Sequence, residues 1–200
     1  MRKAALHLKN ADPVLARIVE RVGPCRIQYR EPDFSALARA IVFQQLNGTA
    51  AGAIFGRFLA VLKDGQAAPE AVLRAPARRL RAAGLSPQKT LYIRDLAKKT
   101  VSGAIRFESL PAMSDQDVIA TLTQVKGIGV WTAHMFLIFA LRRPDVLAVG
   151  DYGVRAAIKK TYGLAQLPKP GEVEQLARPW RPYCSAACWY LWRSLEIETL

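Results

Sequence analysis

Hydrophobic residues recur along the chain at spacings of three and four, the period of α-helices that bury one side. The stripe between Asp33 and Gln44 is typical, and its members are Phe34, Leu37, Ile41 and Val42. Similar patterns predict helices over residues 13–21, 49–62, 69–75, 76–83, 87–102, 114–122, 131–141, 151–162, 172–178 and 183–195. Apart from an apolar patch at residues 146–149, no segment alternates as a half-buried strand does. We therefore expect an all-α fold.

Capping residues mark where several of these helices begin. Asp12 precedes a proline, a residue suited to the first helical position. The dipeptide Asn47-Gly48 breaks the chain, and we expect Thr49 to cap the helix that follows. The chain just before that break is polar and is expected to be a loop between two helices.

The chain has 200 residues, enough to bury a sizeable core as one domain or two closely joined ones. Lys and Arg number 29 against 16 Asp and Glu, which gives a net charge of +13. Such a charge favours an anionic partner, and we expect nucleic acid rather than a membrane because no long apolar span is present. The N-terminus lacks the apolar core of a signal peptide. We expect a cytoplasmic protein, associated with the nucleoid if the source is prokaryotic.

The cysteines Cys25, Cys184 and Cys188 are not spaced as a disulfide framework. Cys184 and Cys188 are four residues apart, hence neighbours on one helix face, and are expected to be packing thiols. Three thiols do not supply the four ligands of the usual iron–sulfur cluster, so no such cluster is expected. His7 and His134 lie far apart without metal-ligand spacing, so a structural zinc site is not expected.

A Gly-x-Gly turn at Gly127 and Gly129 separates two predicted helices. Glycine permits backbone torsions and close approaches that a Cβ resists. The first amides of the helix after the turn have no partner within that helix and lie at the positive end of its dipole. Such a helix start suits a phosphate, so the turn predicts contact with a nucleic-acid backbone.

One carboxylate, Asp151, stands at a predicted helix start after the apolar patch. The simplest interpretation is an N-cap that accepts hydrogen bonds from first-turn amides. The alternative is a catalytic acid. Cleavage of a glycosidic bond develops positive charge on the sugar, which a fixed carboxylate stabilises, and the same group can activate the attacking water.

Together these features resemble the helix-hairpin-helix (HhH-GPD) DNA glycosylases, specifically the 3-methyladenine DNA glycosylase II type. The resemblance rests on the Asp151 segment and on three further stretches: Val125-Lys126-Gly127-Ile128-Gly129-Val130-Trp131-Thr132-Ala133, Ala40-Ile41-Val42-Phe43-Gln44-Gln45, and the aromatic tail at residues 180–183 and 189–192. It extends over residues 33–195. A Gly-x-Gly hairpin alone is a weak indication, whereas the hairpin, the aspartate and the aromatic tail in this order are specific.

The resemblance implies a single bilobal unit over residues 1–200 with its active site in the cleft between the lobes. Residues 33–125 would form the lobe with the wedge loop. Residues 1–32 and 130–200 would form the lobe with the catalytic aspartate. The implied protein is a monomeric enzyme of base excision repair that binds double-stranded DNA containing alkylated bases and flips the damaged nucleotide out of the helix.

The resemblance also implies that Asp151 is catalytic and assists hydrolysis of the N-glycosidic bond. In bifunctional relatives, a lysine two residues after the second hairpin glycine forms a Schiff base with the sugar. Trp131 stands there in this sequence, so we expect a monofunctional enzyme without lyase activity. A purine alkylated at N3 or N7 is cationic and leaves as a neutral base, so one carboxylate suffices. The expected substrates are 3-methyladenine first and 7-methylguanine second, and hypoxanthine is expected to be a poorer substrate than either.

Electron-rich aromatic rings attract a cationic base by stacking and cation–π contact. Trp131 and Trp192 match the family's pocket aromatics, and Phe43 and Tyr152 are further candidates. Core packing is the alternative role for each of these aromatic residues. Met135 stands where some relatives have a tyrosine, and it belongs to the predicted pocket.

The family fills the gap left by the flipped nucleotide with a side chain from the loop after the second helix. The resemblance places Gln45 at this wedge, with Gln44 and Leu46 beside it. The alternative is that the two glutamines only end an exposed helix.

The predicted backbone contacts lie at the hairpin and at one more helix start: Gly127, Gly129, Thr132, Lys126 and Ser86. An ordinary cap is the alternative for Ser86. The backbone carbonyls of Thr123, Val125 and Gly127 resemble the family's sodium or potassium site, and no required cofactor is expected.

Two other functions stay open on the sequence. One is a glycosylase for a neutral damaged base. The other is a non-catalytic protein that keeps the hairpin and binds DNA structures.

Overall fold

The computed structural model describes residues 1–62 and 65–197. The helices over these residues are α1 (Arg2–Ala11), α2 (Pro13–Val22), α3 (Phe34–Phe43), α4 (Gly48–Val61), α5 (Pro69–Arg74), α6 (Ala77–Ala82), α7 (Pro87–Val101), α8 (Asp115–Leu122), α9 (Val130–Phe139), α10 (Tyr152–Thr161), α11 (Pro170–Leu176) and α12 (Cys184–Ser194). Short 3₁₀ turns lie at Leu110–Ala112 and Arg178–Trp180. The described residues contain no β-strand, and the apolar patch at 146–149 is irregular. The all-α prediction is confirmed.

The chain forms two compact units. Unit 1 comprises Met1–Tyr29 and Arg142–Leu200, and unit 2 comprises Arg30–Leu141. The resemblance implies that residues 130–141 belong to the lobe of Asp151, whereas in the structure they belong to unit 2. Helix α9 packs on α3 and α8 and belongs to unit 2, where it buries Ala133, Phe136, Leu137 and Ile138.

Unit 2 is organised around α7, which packs against α3, α5 and α6. The predicted stripe on α3 is buried, as expected for a helix that packs on one side. Helix α4 begins two residues earlier than a cap at Thr49 implies, because its cap is Asn47. The side-chain oxygen of Asn47 accepts a hydrogen bond from the amide of Ala50 at 2.8 Å, which fixes the chain between α3 and α4.

In unit 1, α12 packs on α2 and α10. A buried carboxylate, Asp12, joins distant parts of this unit. Its Oδ1 caps α2 by accepting from the amides of Val14 and Leu15, and its Oδ2 accepts from the Tyr162 hydroxyl and the Trp180 indole. Burial is the largest cause that raises the pKa of Tyr162, followed by the hydrogen bond to Asp12. The network satisfies a charge that would be costly to bury alone.

The sequence pattern did not predict α1. Only Ala4 and Leu8 are buried on this helix, and no side chain caps its start. Two apolar positions are too few for a recognisable stripe, and α1 is stabilised instead by packing against α2.

The thiols of Cys184 and Cys188 are free and buried on α12. Burial raises the pKa of both thiols, that of Cys188 to about 12. The prediction of packing thiols is confirmed. None of the helices in the described part of the chain combines the length and the apolar character that crossing a bilayer takes.

Candidate active site and hairpin

The carboxylate of Asp151 caps α10, and the residue as a whole is only 8% exposed. Its Oδ1 accepts a hydrogen bond from the amide of Val154 at 2.7 Å. The same atom accepts a second hydrogen bond, 2.8 Å long, from the indole Nε1 of Trp192. The carboxylate is therefore held from its own helix and from α12, which packs on α10. The N-cap interpretation is confirmed, and it is compatible with a catalytic role.

A glycine in the first turn of α10 makes room for this indole. A Cβ placed on Gly153 would lie 3.0 Å from Trp192 Cδ1 and 3.1 Å from Asp151 Oδ1. Both distances are tighter than ordinary contacts, so a side chain at this position would displace the indole or the carboxylate. Gly153 is a site residue that the sequence analysis missed. Its signal was a glycine inside a helical pattern, which often has a packing reason.

The other predicted pocket side chains differ in their exposure and in their contacts. Trp131 is 48% exposed on the first turn of α9, and Tyr152 is 74% exposed at the start of α10. Met135 is half-buried on α9. The guanidinium of Arg39 lies over the ring of Phe43, 3.5 Å from its centroid. One face of Phe43 is thus already occupied by a cation.

The two hairpin glycines have different conformations. Gly127 has φ of +81°, in the region that favours glycine. A Cβ placed on it would lie 2.0 Å from the ring of Tyr92, which packs directly on the turn. Gly129 has φ of −96°, and a Cβ there would meet open space. The expectation that both glycines need unusual torsions or close approaches holds only for Gly127.

In unit 2, α3, α4, α7 and α8 begin with a side-chain cap, whereas α9, like the short helices α5 and α6, does not. Gly129 is its N-cap residue, and no side chain of the described chain caps this end. Lys126 is exposed beside the turn, and its amide donates to Asp95 Oδ2 at 2.9 Å. Thr132 is only 3% exposed, so its hydroxyl faces the protein and not a phosphate in solution.

Ser86 caps α7 by accepting from the amide of Lys89 at 3.1 Å. The alternative of an ordinary cap therefore describes this residue in the structure. Its predicted contact with a DNA phosphate stays a prediction.

The predicted wedge loop follows α3. Gln45 is exposed and has φ of +57°, a left-handed conformation that is uncommon for a residue with a side chain. Leu46 beside it is also exposed. The side chain of Gln44 points towards the hairpin. Its Nε2 donates to the carbonyl of Gly127 at 2.8 Å and lies 3.5 Å from Thr132 Oγ1. The structure thus brings the loop and the hairpin together within unit 2.

The sequence model of the HhH-GPD superfamily of base excision DNA repair proteins matches residues 38–182. The chain belongs to this superfamily. It is 35% identical to DNA-3-methyladenine glycosylase 1 of Schizosaccharomyces pombe over 98% of this chain and 89% of that protein.

Solved structures agree with this assignment to the HhH-GPD superfamily. The S. pombe 3-methyladenine DNA glycosylase Mag1 in complex with abasic DNA has a TM-score of 0.89 at 35% identity, covering 98% of both chains. A DNA-3-methyladenine glycosidase from Bacillus halodurans has a TM-score of 0.84 at 36% identity, covering 95% of this chain and 88% of that one. The predicted helix-hairpin-helix glycosylase fold is confirmed.

Two of the three carbonyls assigned to a sodium or potassium ion in this HhH-GPD protein accept hydrogen bonds within the protein. Gly127 O accepts a hydrogen bond from the side-chain Nε2 of Gln44, and Val125 O accepts one from the backbone amide of Ile128 at 3.0 Å. Each carbonyl oxygen has two lone pairs, so one hydrogen bond leaves a position at which a cation could still bind. These bonds therefore do not test the proposed set of Thr123, Val125 and Gly127 carbonyls, and the cation site stays a prediction.

Three residues that touch the hairpin or the wedge loop were not assigned from the sequence. Tyr92 and Asp95 contact the hairpin, and the side chain of Lys89 contacts the wedge loop. No local pattern marks these residues, because each acts on a segment distant in sequence. Arg39, which covers Phe43 four residues along the same helix, was not assigned either. Partial burial lowers the pKa of Lys89, whose ammonium group donates to the carbonyls of Val42 and Gln44.

Proposed function

We propose that this HhH-GPD protein is a monofunctional DNA glycosylase of the 3-methyladenine DNA glycosylase II type, acting as a monomer on double-stranded DNA. Its substrates are alkylated purines, chiefly 3-methyladenine and 7-methylguanine. The observation that carries the proposal is the buried carboxylate of Asp151, whose Oδ1 is held by the Val154 amide and the Trp192 indole. The names of the relatives from S. pombe and B. halodurans support the substrate class.

In the proposed reaction, Asp151 stabilises positive charge on the sugar as the bond between C1′ and the base breaks. The bonding electrons leave with the base, which becomes neutral because it carried a positive charge before cleavage. Water then adds to C1′ and passes a proton to the carboxylate. The product is an abasic site in the DNA. A carboxylate held by two donors needs little reorganisation when charge develops, which is the main source of electrostatic catalysis.

The aromatic side chains supply affinity for the cationic base. Trp131 and Tyr152 present exposed rings, and an electron-rich ring attracts a cation by about 0.5–2 kcal/mol. Phe43 is the weaker candidate, because the guanidinium of Arg39 already lies on its ring and repels a second cation. Trp192 acts on the base less directly, since its indole N–H is committed to Asp151.

Affinity for the DNA backbone comes from the uncapped start of α9. No side chain caps the amides that follow Gly129, so a phosphate oxygen of the DNA can accept their hydrogen bonds. The net charge of +13 adds a general attraction to DNA. Binding should weaken as salt rises, with a log–log slope of about −0.9 for each phosphate neutralised.

Asp151→Asn tests the proposal with little change of structure. The Asn oxygen still caps α10 and accepts from Trp192, so the substitution removes mainly the negative charge. We expect release of methylated purines from methylated genomic DNA to fall about 100-fold or more. Binding to abasic DNA should be retained. The matched control is Asp33→Asn, which alters an exposed N-cap aspartate on α3 and should leave release unchanged.

The released bases distinguish the other functions. Neutral bases released by the wild type, with no methylated purine, would identify a glycosylase for a neutral lesion. Binding without release of any base by the wild type would identify a DNA-structure-binding protein. Equal release by the wild type and Asp151→Asn would remove Asp151 from the mechanism. Sodium borohydride should trap no covalent adduct with the wild type, because Trp131 replaces the lysine of bifunctional relatives. The monomer is checked by light scattering against the chain mass of 22.1 kDa.

A further inference from the structure

The conformation of the wedge loop is unusual at the residue that matters most. Gln45 follows the last turn of α3 with φ of +57°, where a side chain crowds the backbone. Residues held in this region persist only when their surroundings fix them. The contacts on either side of Gln45 therefore decide how it is presented.

Lys89 supplies the first of these contacts. Its Nζ donates to the carbonyls of Val42 and Gln44, each at 2.7 Å. These carbonyls lie at the end of α3, where the helix leaves its C=O groups unpaired and its dipole favours a cation. Lys89 sits in the first turn of α7, whose start is fixed by the Ser86 cap. One ammonium group thus holds the chain immediately before Gln45.

Gln44 supplies the second contact. Its amide nitrogen donates to Gly127 O at 2.8 Å, so the residue before the wedge is bonded to the first glycine of the hairpin. The hairpin is itself held from α7. The ring of Tyr92 packs on Gly127, and Asp95 Oδ2 accepts from the amide of Lys126.

Helix α7 therefore carries one line of side chains that supports both DNA-contacting segments. Lys89, Tyr92 and Asp95 are spaced by three residues, a spacing that keeps neighbours close together on a helix surface. Lys89 contacts the wedge loop, and the other two contact the hairpin. The bond from Gln44 to Gly127 closes the connection between the two segments.

We propose that Lys89 and Gln44 are positioning residues for base flipping, which hold Gln45 in its wedge conformation and tie the wedge loop to the phosphate-binding hairpin. The inference rests on the proposed glycosylase function. Neither side chain touches the reacting atoms. Gln44, assigned to the wedge from the sequence, supports the loop from beneath, and Gln45 is the side chain that it holds ready for the DNA.

Lys89→Met removes the ammonium group and keeps most of the side-chain length. The matched control is Lys98→Met, which removes one positive charge from an exposed position on the same helix. Single-turnover excision is measured on a duplex with one 7-methylguanine. A second substrate places the same lesion in a bubble of unpaired bases, where flipping is already less costly.

Excision from the fully paired duplex should fall about ten-fold in Lys89→Met, whereas excision from the bubble should change less than about two-fold. Gln44→Ala should show the same selective loss, and Lys89→Arg should restore most of the rate because a guanidinium can donate to both carbonyls. Lys98→Met should match the wild type on both substrates.

Flipping is followed directly with 2-aminopurine next to the lesion, whose fluorescence rises on unstacking. The measurement is made in the Asp151→Asn background, so that excision does not interfere. The fluorescence amplitude should fall in Lys89→Met and in Gln44→Ala and stay unchanged in Lys98→Met. Thermal melting of each variant shows whether it is folded, and Gln44→Ala and Lys89→Arg carry the test if Lys89→Met is not.

Three outcomes have different meanings. An equal loss on paired and bubble substrates would overturn the positioning role, since the effect would not be specific to flipping. Unchanged excision and fluorescence in both Lys89→Met and Gln44→Ala would also overturn it. Failure of the wild type to excise from either substrate would instead overturn the proposed function.

Discussion

The indole Nε1 of Trp192 donates a hydrogen bond to Oδ1 of Asp151 at 2.8 Å. That oxygen also accepts from the Val154 amide, so the aspartate is both the cap of α10 and the partner of a side chain on α12. The two interpretations of Asp151 left open by the sequence, a cap and a catalytic acid, are therefore compatible. The cap fixes the position of the carboxylate, and the indole fixes its rotation.

Trp192→Phe keeps an aromatic ring and removes the donor. We expect the single-turnover excision rate to fall about ten-fold, close to the free energy of one hydrogen bond to a charged acceptor. The affinity for abasic DNA should change little. Trp189→Phe is the matched control, because its indole is not the donor to Asp151. An unchanged rate in Trp192→Phe would mean that the carboxylate keeps its orientation without the indole.

Gly153→Ala should have a similar effect by a different route. The new Cβ would lie 3.0 Å from Trp192 and 3.1 Å from Asp151 Oδ1, so it displaces the pair that the glycine accommodates. We expect excision to fall about ten-fold, the loss expected when this hydrogen bond is disturbed. The control is Gly52→Ala in α4, where a Cβ meets open space. That variant should keep its activity and gain up to about 1 kcal/mol of stability from helix propensity. Full activity in Gly153→Ala would show that the site adjusts without loss.

The two hairpin glycines should respond differently to alanine. Gly127→Ala places a side chain at φ of +81° and against the ring of Tyr92, and we expect about 2–4 kcal/mol of destabilisation together with loss of DNA binding. Gly129→Ala has neither problem and should fold as the wild type does. Chemical denaturation and fluorescence anisotropy with abasic DNA measure the two effects. Equal effects at both positions would contradict the different backbone conformations of Gly127 and Gly129.

Trp131→Lys tests whether the first turn of α9 faces the sugar. A lysine here should form a Schiff base with C1′, and borohydride should reduce it to a stable protein–DNA adduct. Lys126 lies on the other side of the turn, so the wild type should give no adduct. If Trp131→Lys gives none while the protein still binds DNA, residue 131 does not reach the anomeric carbon.

The buried thiols predict a dependence of stability on pH. Burial raises the pKa of Cys188 from 9.0 to about 12, so the folded state favours the neutral thiol. This contribution to stability is present below about pH 9 and is lost as the pH rises towards 12. Cys184 and Cys188 should react slowly with a thiol reagent at pH 8, and Cys25, which is half-buried, should react first. Fast reaction of all three thiols in the folded protein would contradict the burial of α12.

Much of the fold was predictable because its signals are local. Helical periodicity revealed all the helices from α2 to α12, and Asp12, Ser86 and Asp151 cap helices as their positions indicated. Helix α1 was missed because only Ala4 and Leu8 are buried. The cap of α4 was placed two residues too late, since both Asn47 and Thr49 are residues that favour this position.

The sequence by itself determined the helices from α2 to α12, the hairpin and the position of Asp151 at a helix start, because capping and periodicity depend on residues within a few positions of one another. Only the tertiary structure decided that Gln44 bonds to Gly127 and that Trp192 bonds to Asp151. These partners are far apart in the chain, and packing of the helices sets their distance. For the same reason, only the structure distinguished the constrained Gly127 from the open Gly129.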